Sequence, residues 1–137
     1  MPSESEHITC VTAENKAVVR RLLEEVLGRG QLKLLPALVA PDYVGHLAMG
    51  DHYGPAGVRI DVTTYRVAFP DLTVTLEMLL ADGDLVARCY TVRGTHQGAF
   101  LGSPASGRPV FLLGLAIDRL ERGQLVESWV RIDGLPR

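Results

Sequence analysis

The chain has 137 residues, 47% of them hydrophobic and 22% charged, enough to bury a real core in one domain. A formal net charge of −2 leaves no electrostatic footprint for nucleic acid. Two cysteines, Cys10 and Cys89, are too few for a disulfide framework or a zinc cluster, and no apolar run nears the roughly 20 residues that span a bilayer.

Residues 1–11 are polar and read as a flexible leader without the apolar stretch of a signal peptide, so a cytoplasmic protein is expected. Thr12 or Asn15 then offers a helix N-cap. Beyond it Val18, Val19, Leu22, Leu23, Val26 and Leu27 recur at helical spacing with Arg and Glu between them, up to Gly28 and Gly30. A short second helix, QLKLLPALV, is limited or kinked by Pro36. DYVGHLAMGDHYG reads as a short strand followed by a glycine-rich loop. A third helix spans 54–69, with Pro55 just inside its start and Val58, Val62, Tyr65 and Phe69 on one side.

From Leu72 onward the pattern is strand. LTVTLEMLLA and DLVARCYTVRGTHQG alternate about a hairpin turn at Asp82-Gly83, a register that would pair Glu77 with Arg88. Cys89 reads as a small core residue. After a loop rich in Gly, Pro and Ser come strands 109–121 and 124–133. Helices first and strands later define an α+β fold with helices on one face of a curved antiparallel sheet, and residues 12–137 form its single domain.

The turn Glu121-Arg-Gly-Gln decides the phase of the last hairpin. A two-residue type I′ turn needs positive φ at Arg122, which is unfavourable for a bulky residue. A type I turn with Gly123 left-handed and a bulge avoids that and places Asp118 opposite Val126. One face then carries Gly114, Ala116, Asp118, Leu120, Val126, Ser128, Val130 and Ile132, apolar except for Asp118 and Ser128. The opposite face carries Arg119, Glu121, Glu127, Trp129, Arg131 and Asp133. An inward carboxylate beside the missing volume of Gly114 and Ala116 suits a ligand pocket. Desolvation would raise its pKa toward the range useful for acid/base work.

Segments in the order LLEEVLGRGQLKLLPALVAPDYVGH, GPAGVR, AFPDL, ADGDLVARCYTVRGTHQGAFLGSPASGRPV and AIDRLERGQLVESW together resemble the SnoaL-like polyketide cyclases of the NTF2-like superfamily. The resemblance covers residues from about 12 to 133. It implies a cone-like α+β barrel with three helices and one deep pocket, a homodimer or homotetramer joined through the outer sheet face, no metal, and no organic cofactor. It also implies aldol closure of an aromatic polyketide ring, with Asp118 as catalytic acid/base. His46 and His96 match positions where the family has histidine and are expected to be polar pocket groups. The family commonly has Glu-His-Trp where this chain reads Glu127-Ser128-Trp129, so Ser128 is a departure beside the expected catalytic group. Relatives with this fold also hydroxylate or rearrange polycyclic substrates, and some only bind ligands.

Ser128, Tyr65, Phe69, Gly114 and Ala116 are the expected substrate contacts, for a small polycyclic or hydrophobic molecule rather than nucleic acid or a membrane. Exposed Trp129 suits an oligomer interface. His52, in the glycine-rich loop, and His7, in the leader, are expected in solvent. The histidines and Asp118 lack metal-ligand spacing, so no metal is expected.

Overall fold

The computed structural model describes residues 4–48 and 50–134; the side chains of residues 4–9, His7 among them, lie outside that description. Helix α1 (Glu4–Arg21) continues into a π-helical segment, Leu22–Leu27, closed by the Gly28 amide donating to the Leu23 carbonyl at 2.9 Å. The helix therefore starts well before Thr12. No Gly or Pro interrupts residues 4–27, so Thr12 and Asn15 are interior positions rather than caps, and Asn15 is buried. Val19, Leu22, Leu23, Val26 and Leu27 form the buried face, as their spacing requires.

The second helical stretch divides into a 3₁₀ turn (Leu32–Leu34) and a single turn, α2 (Leu35–Leu38). Pro36 sits in the first turn of α2, where its missing N–H costs nothing. β1 (Val39–Leu47) and β2 (Gly50–Tyr53) form an antiparallel hairpin, so the supposed glycine-rich loop is a strand. α3 (Gly54–Ala68) buries Val58, Val62, Tyr65 and Ala68, with Phe69 buried at its C-terminal boundary.

Strands β3 (Thr73–Asp82), β4 (Leu85–Thr95), β5 (Pro109–Glu121) and β6 (Gln124–Asp133) complete a six-stranded sheet in the order β2-β1-β6-β5-β4-β3. The fold is the expected α+β cone, but its sheet is mixed, because β1 runs parallel to β6. Inward residues of β4, β5 and β6 meet the apolar faces of α1 and α3 in one core. No helix among the described residues is long and apolar enough to cross a membrane.

Two hairpin turns differ from the sequence expectation. The β3–β4 turn is Gly83-Asp84, with positive φ at Gly83 and not at Asp84, which a type II′ turn requires. Arg88 therefore lies opposite Leu79 and faces inward, and a bulge leaves Glu77 to accept a 3.1 Å hydrogen bond from Thr91. The β5–β6 turn is a two-residue turn after all: Arg122 and Gly123 have φ of 53° and 76°, and Glu121 pairs with Gln124.

A bulge between the Arg119 and Leu120 pairings then inserts Val126 and moves Asp118 opposite Ser128, not Val126. The bulge restores the parity that the two-residue turn would have lost, so Asp118, Ser128 and Val130 still face inward with Ala116 and Leu120. Burial of the apolar face outweighs the local strain of one left-handed arginine. Because a non-glycine residue there costs about 1–2 kcal/mol, Arg122→Asn, which suits a type I′ turn before glycine, is expected to stabilise the fold by about 1 kcal/mol. Urea unfolding midpoints of the two proteins check this.

Candidate active site

Asp118 is fully buried toward the C-terminal end of β5. Arg88 on β4 approaches it as a fork, Nε donating to Oδ2 at 2.8 Å and Nη2 to Oδ1 at 3.1 Å. Ser128 on β6 donates to the same Oδ1 at 2.5 Å. The Tyr43 hydroxyl on β1 is bonded to Ser128. A single polar chain thus crosses four strands: Tyr43 to Ser128 to Asp118, with Arg88 on the other side.

Burial alone would lower the Arg88 pKa, but the Asp118 carboxylate more than offsets it and the net direction is upward. The guanidinium also lies 5.2 Å from the Tyr90 ring centroid, a favourable position for a cation over an aromatic face. The bidentate pairing explains how two charged groups remain in the core: each supplies the other's missing solvation.

The inner cavity lies between this sheet and the helices. Leu22, Leu23, Leu27, Tyr43, Leu47, Val58, Asp61, Val62, Tyr65, Arg88, Tyr90 and Val130 line it, and its volume is about 40 Å³. Leucines from the π-helical segment with Tyr65 of α3 form one wall, and Tyr43, Tyr90 and Arg88 of the sheet form the other. Burial pushes the Tyr43 hydroxyl up to about 12, with the Ser128 hydrogen bond and Arg88 pulling back. Burial also raises the pKa of Tyr65 and Tyr90.

Asp61 on α3 is the cavity's one carboxylate among the described lining residues. Desolvation raises its pKa to about 6 against the opposing influence of His52 and Arg88.

The expected site residues divide sharply. Asp118 and Ser128 come together inside, and Tyr65 lines the cavity. Asp118 itself does not open onto the cavity: Arg88 and Ser128 occupy both its oxygens. The volume missing at Gly114 is filled by the Tyr90 ring, which any Cβ there would strike. Ala116 faces inward but is not among the residues lining the cavity.

His46 is on the outer face. Its Nε2 is 2.8 Å from Glu127, its Nδ1 is 3.3 Å from Asp51, and its ring stacks on Trp129 at 5.7 Å. The Glu127 hydrogen bond, then Asp51, raises its pKa despite some desolvation. The phase of β1 explains the difference. Tyr43 and Gly45 point inward, and Val44 and His46 point outward, with Gly45 paired to Ser128 and His46 to Trp129.

His96 is buried beyond the end of β4, 5.6 Å from the Phe69 ring and 3.3 Å from Ser106 Oγ. The Phe69 ring contacts His96 and Phe100, and Phe100 in turn contacts Tyr65 of the cavity lining. Neither lines it. His52 is half-buried rather than in solvent, its Nδ1 without a hydrogen-bond partner among the described residues. Cys89 faces the outer groove instead of the core.

Arg88 and Asp61 escaped the sequence reading. Asp61 did carry a signal, since it falls three residues after Val58 and four before Tyr65, within the apolar stripe of α3. Among the described residues no group of three or more His, Cys, Asp or Glu side chains is arranged to hold a metal ion.

The profile of the SnoaL-like polyketide cyclase family matches residues 17–136, and the chain belongs to that family. Among solved structures, it is similar to IdmH, a proposed polyketide cyclase from Streptomyces antibioticus. That likeness has 33% identity over 87% of this chain and 91% of that one, with a TM-score of 0.75. It is also similar to AclR, a proposed hydroxylase from Streptomyces galilaeus, at 29% identity over 89% and 90% of the two chains and a TM-score of 0.75. A SnoaL-like protein from Jannaschia sp. CCS1 shares the fold at a TM-score of 0.80 and 24% identity, over 89% of this chain and 87% of that one. No curated protein matches the chain.

Removing one member of a buried ion pair strands the other, at a cost of about 3–5 kcal/mol. Asp118→Leu and Arg88→Met are each expected to destabilise by that amount, and the double substitution by much less than the sum. Urea unfolding of the three variants checks the coupling.

Proposed function

We propose that the chain is a cofactor-independent tailoring enzyme of aromatic polyketide biosynthesis, an aldol-type cyclase whose substrate occupies the inner cavity. The observation that carries this reading is the fixed guanidinium of Arg88 at the wall of a largely apolar pocket, held by two bonds to Asp118. Aldol closure develops negative charge on a ketone oxygen, first as an enolate and then as an alkoxide. A preorganised cation and tyrosine hydroxyls in a dry site stabilise that charge without reorganising when it appears.

In this reading Asp118 is a positioning residue. With both oxygens bonded and no exposure to the cavity, it acts through its neighbours, holding Arg88 in place and orienting Ser128 and Tyr43. Serine suffices at position 128 because its hydroxyl donates to Asp118 from a place beside the Tyr43 hydroxyl. The direct acid/base role expected of Asp118 then falls to another group of the cavity, and His46 and His96 take no part in the chemistry.

A polycyclic substrate needs a few hundred Å³, against the roughly 40 Å³ now present. Binding therefore displaces the leucine wall formed by Leu22, Leu23 and Leu27. The outer face of the sheet exposes Met78, Leu80, Leu115, Ile117 and Trp129. In this reading it is the surface through which copies of the chain associate.

The likeness to AclR favours one second reading, hydroxylation of a similar substrate in the same cavity. Incubation with bicyclic to tetracyclic aromatic β-keto compounds, followed by mass spectrometry and NMR, separates the two. Cyclisation yields an isomer, or a product lighter by one water, and Arg88→Lys should lower kcat by about 10²–10³-fold with KM little changed. A product gaining one oxygen atom selects hydroxylation. No conversion of any compound by the wild type contradicts both.

A further inference from the structure

We propose that Asp61, on helix α3, is the general base of this site, the group that removes the acidic α-proton of a keto substrate lying against Arg88 and Tyr43. The inference rests on the acid/base reading of the cavity and adds a residue the family resemblance does not supply.

Three observations lead to it. Asp61 and Arg88 both line the inner cavity, whereas Asp118 does not. Among the described residues Asp61 has no hydrogen-bond or ion-pair partner at contact distance, while Asp118 has three such bonds. A half-buried carboxylate without a partner is a standing cost to the fold, of the kind that persists at working sites. The third is orientation: Asp61 is on the helical wall, and Arg88, Tyr43 and Tyr90 are on the sheet wall. A flat substrate between the walls would offer its C–H to the carboxylate and its oxygen to the guanidinium and hydroxyl.

The step balances without any other reagent. The Asp61 carboxylate takes the α-proton, and the C–H electron pair becomes the enolate, its charge on the oxygen facing Arg88. The enolate carbon then bonds to the second carbonyl carbon, whose π electrons become an alkoxide. Protonated Asp61 returns its proton to that alkoxide. Without ring closure the proton returns to carbon, after exchange with solvent.

The groups facing Asp61 are His52 from β2, Tyr43 from β1, Tyr65 on its own helix, and Arg88 and Tyr90 from β4; the π-helical segment contributes only leucines. Burial dominates over the positive groups, and the carboxyl titrates near 6, close to the pH at which a general base works best. A folded pKa raised above the unfolded value means the ionised form weakens the fold. Asp61→Asn should therefore melt no lower than wild type near pH 7, with an advantage that grows from about pH 4 to 6 and then levels off.

The direct test follows exchange of α-C–H for C–D in D₂O by NMR, using aromatic β-keto esters and 1,3-diketones with the intact chain. Wild type should accelerate exchange, with a rate that rises through about pH 6. Asp61→Asn should lose about 10²–10⁴-fold and the acidic limb with it, and Asp61→Glu should recover part of the loss. Exchange by Asp61→Asn within a few-fold of wild type overturns the proposal, and the cyclase reading survives if the wild type still closes the ring. Asp61-dependent exchange without ring closure supports the proposal and removes the cyclase reading instead. No exchange and no conversion by the wild type overturns both. Should Asp61→Asn fail to fold, the wild-type pH limb and Asp61→Glu decide: a rate flat from pH 5 to 8 overturns the proposal.

Discussion

The buried pairing of Arg88 with Asp118 is the constraint around which the rest of the structure is arranged. Two ionised groups in a core survive only when each satisfies the other and the remaining hydrogen-bonding capacity is filled. Here the fork geometry uses both carboxylate oxygens, and Ser128 takes up more of Oδ1. That requirement ties β4, β5 and β6 to one register and brings in β1 through Tyr43. It also leaves a permanent cation beside a small apolar cavity. The same interaction that specifies the strand alignment thus creates the electrostatic character of the site.

The sheet divides the molecule's chemistry between its two faces. Inside are Tyr43, Asp61, Arg88 and Tyr90; desolvation raises the pKa of Asp61 and the two tyrosines, while Asp118 outweighs it at Arg88. Outside, His46, Glu127, Asp51 and Arg119 form a partly exposed ion cluster beside Trp129 and an apolar groove. Exposed pairs of this kind contribute little to stability. Histidine character on β1 therefore marks the outer surface, not the inner cavity.

Much of this was legible in the amino-acid sequence. The period-2 alternation of β5 and β6 places Asp118 and Ser128 inward, and the stripe on α3 places Tyr65 in the core, because burying an apolar face overrides local preferences. The same principle explains why the turn was misread. Arg122 accepts positive φ, and a bulge at Val126 repairs the register, so the correct face emerged from an incorrect turn. Arg88 was not legible as a core residue, since an arginine in an alternating strand reads as solvent-facing until its buried partner is known. His46, expected in the pocket from the family resemblance, lies outside because Gly45 is the inward residue of β1 and leaves the space that the Tyr43 ring fills. Asp61 was legible only as a carboxylate within the apolar stripe of α3; that it lines the cavity depends on how α3 packs over the sheet.

The central claim is that Arg88 is locked to Asp118 and shielded from water at the cavity wall. Nitrogen-detected NMR of the Arg88 side chain measures this most directly through exchange of its Nε–H with solvent. The account predicts exchange slowed by orders of magnitude relative to exposed Arg59 and Arg93, and loss of that protection in Asp118→Asn. An Arg88 Nε–H that exchanges as fast as those surface arginines would contradict it.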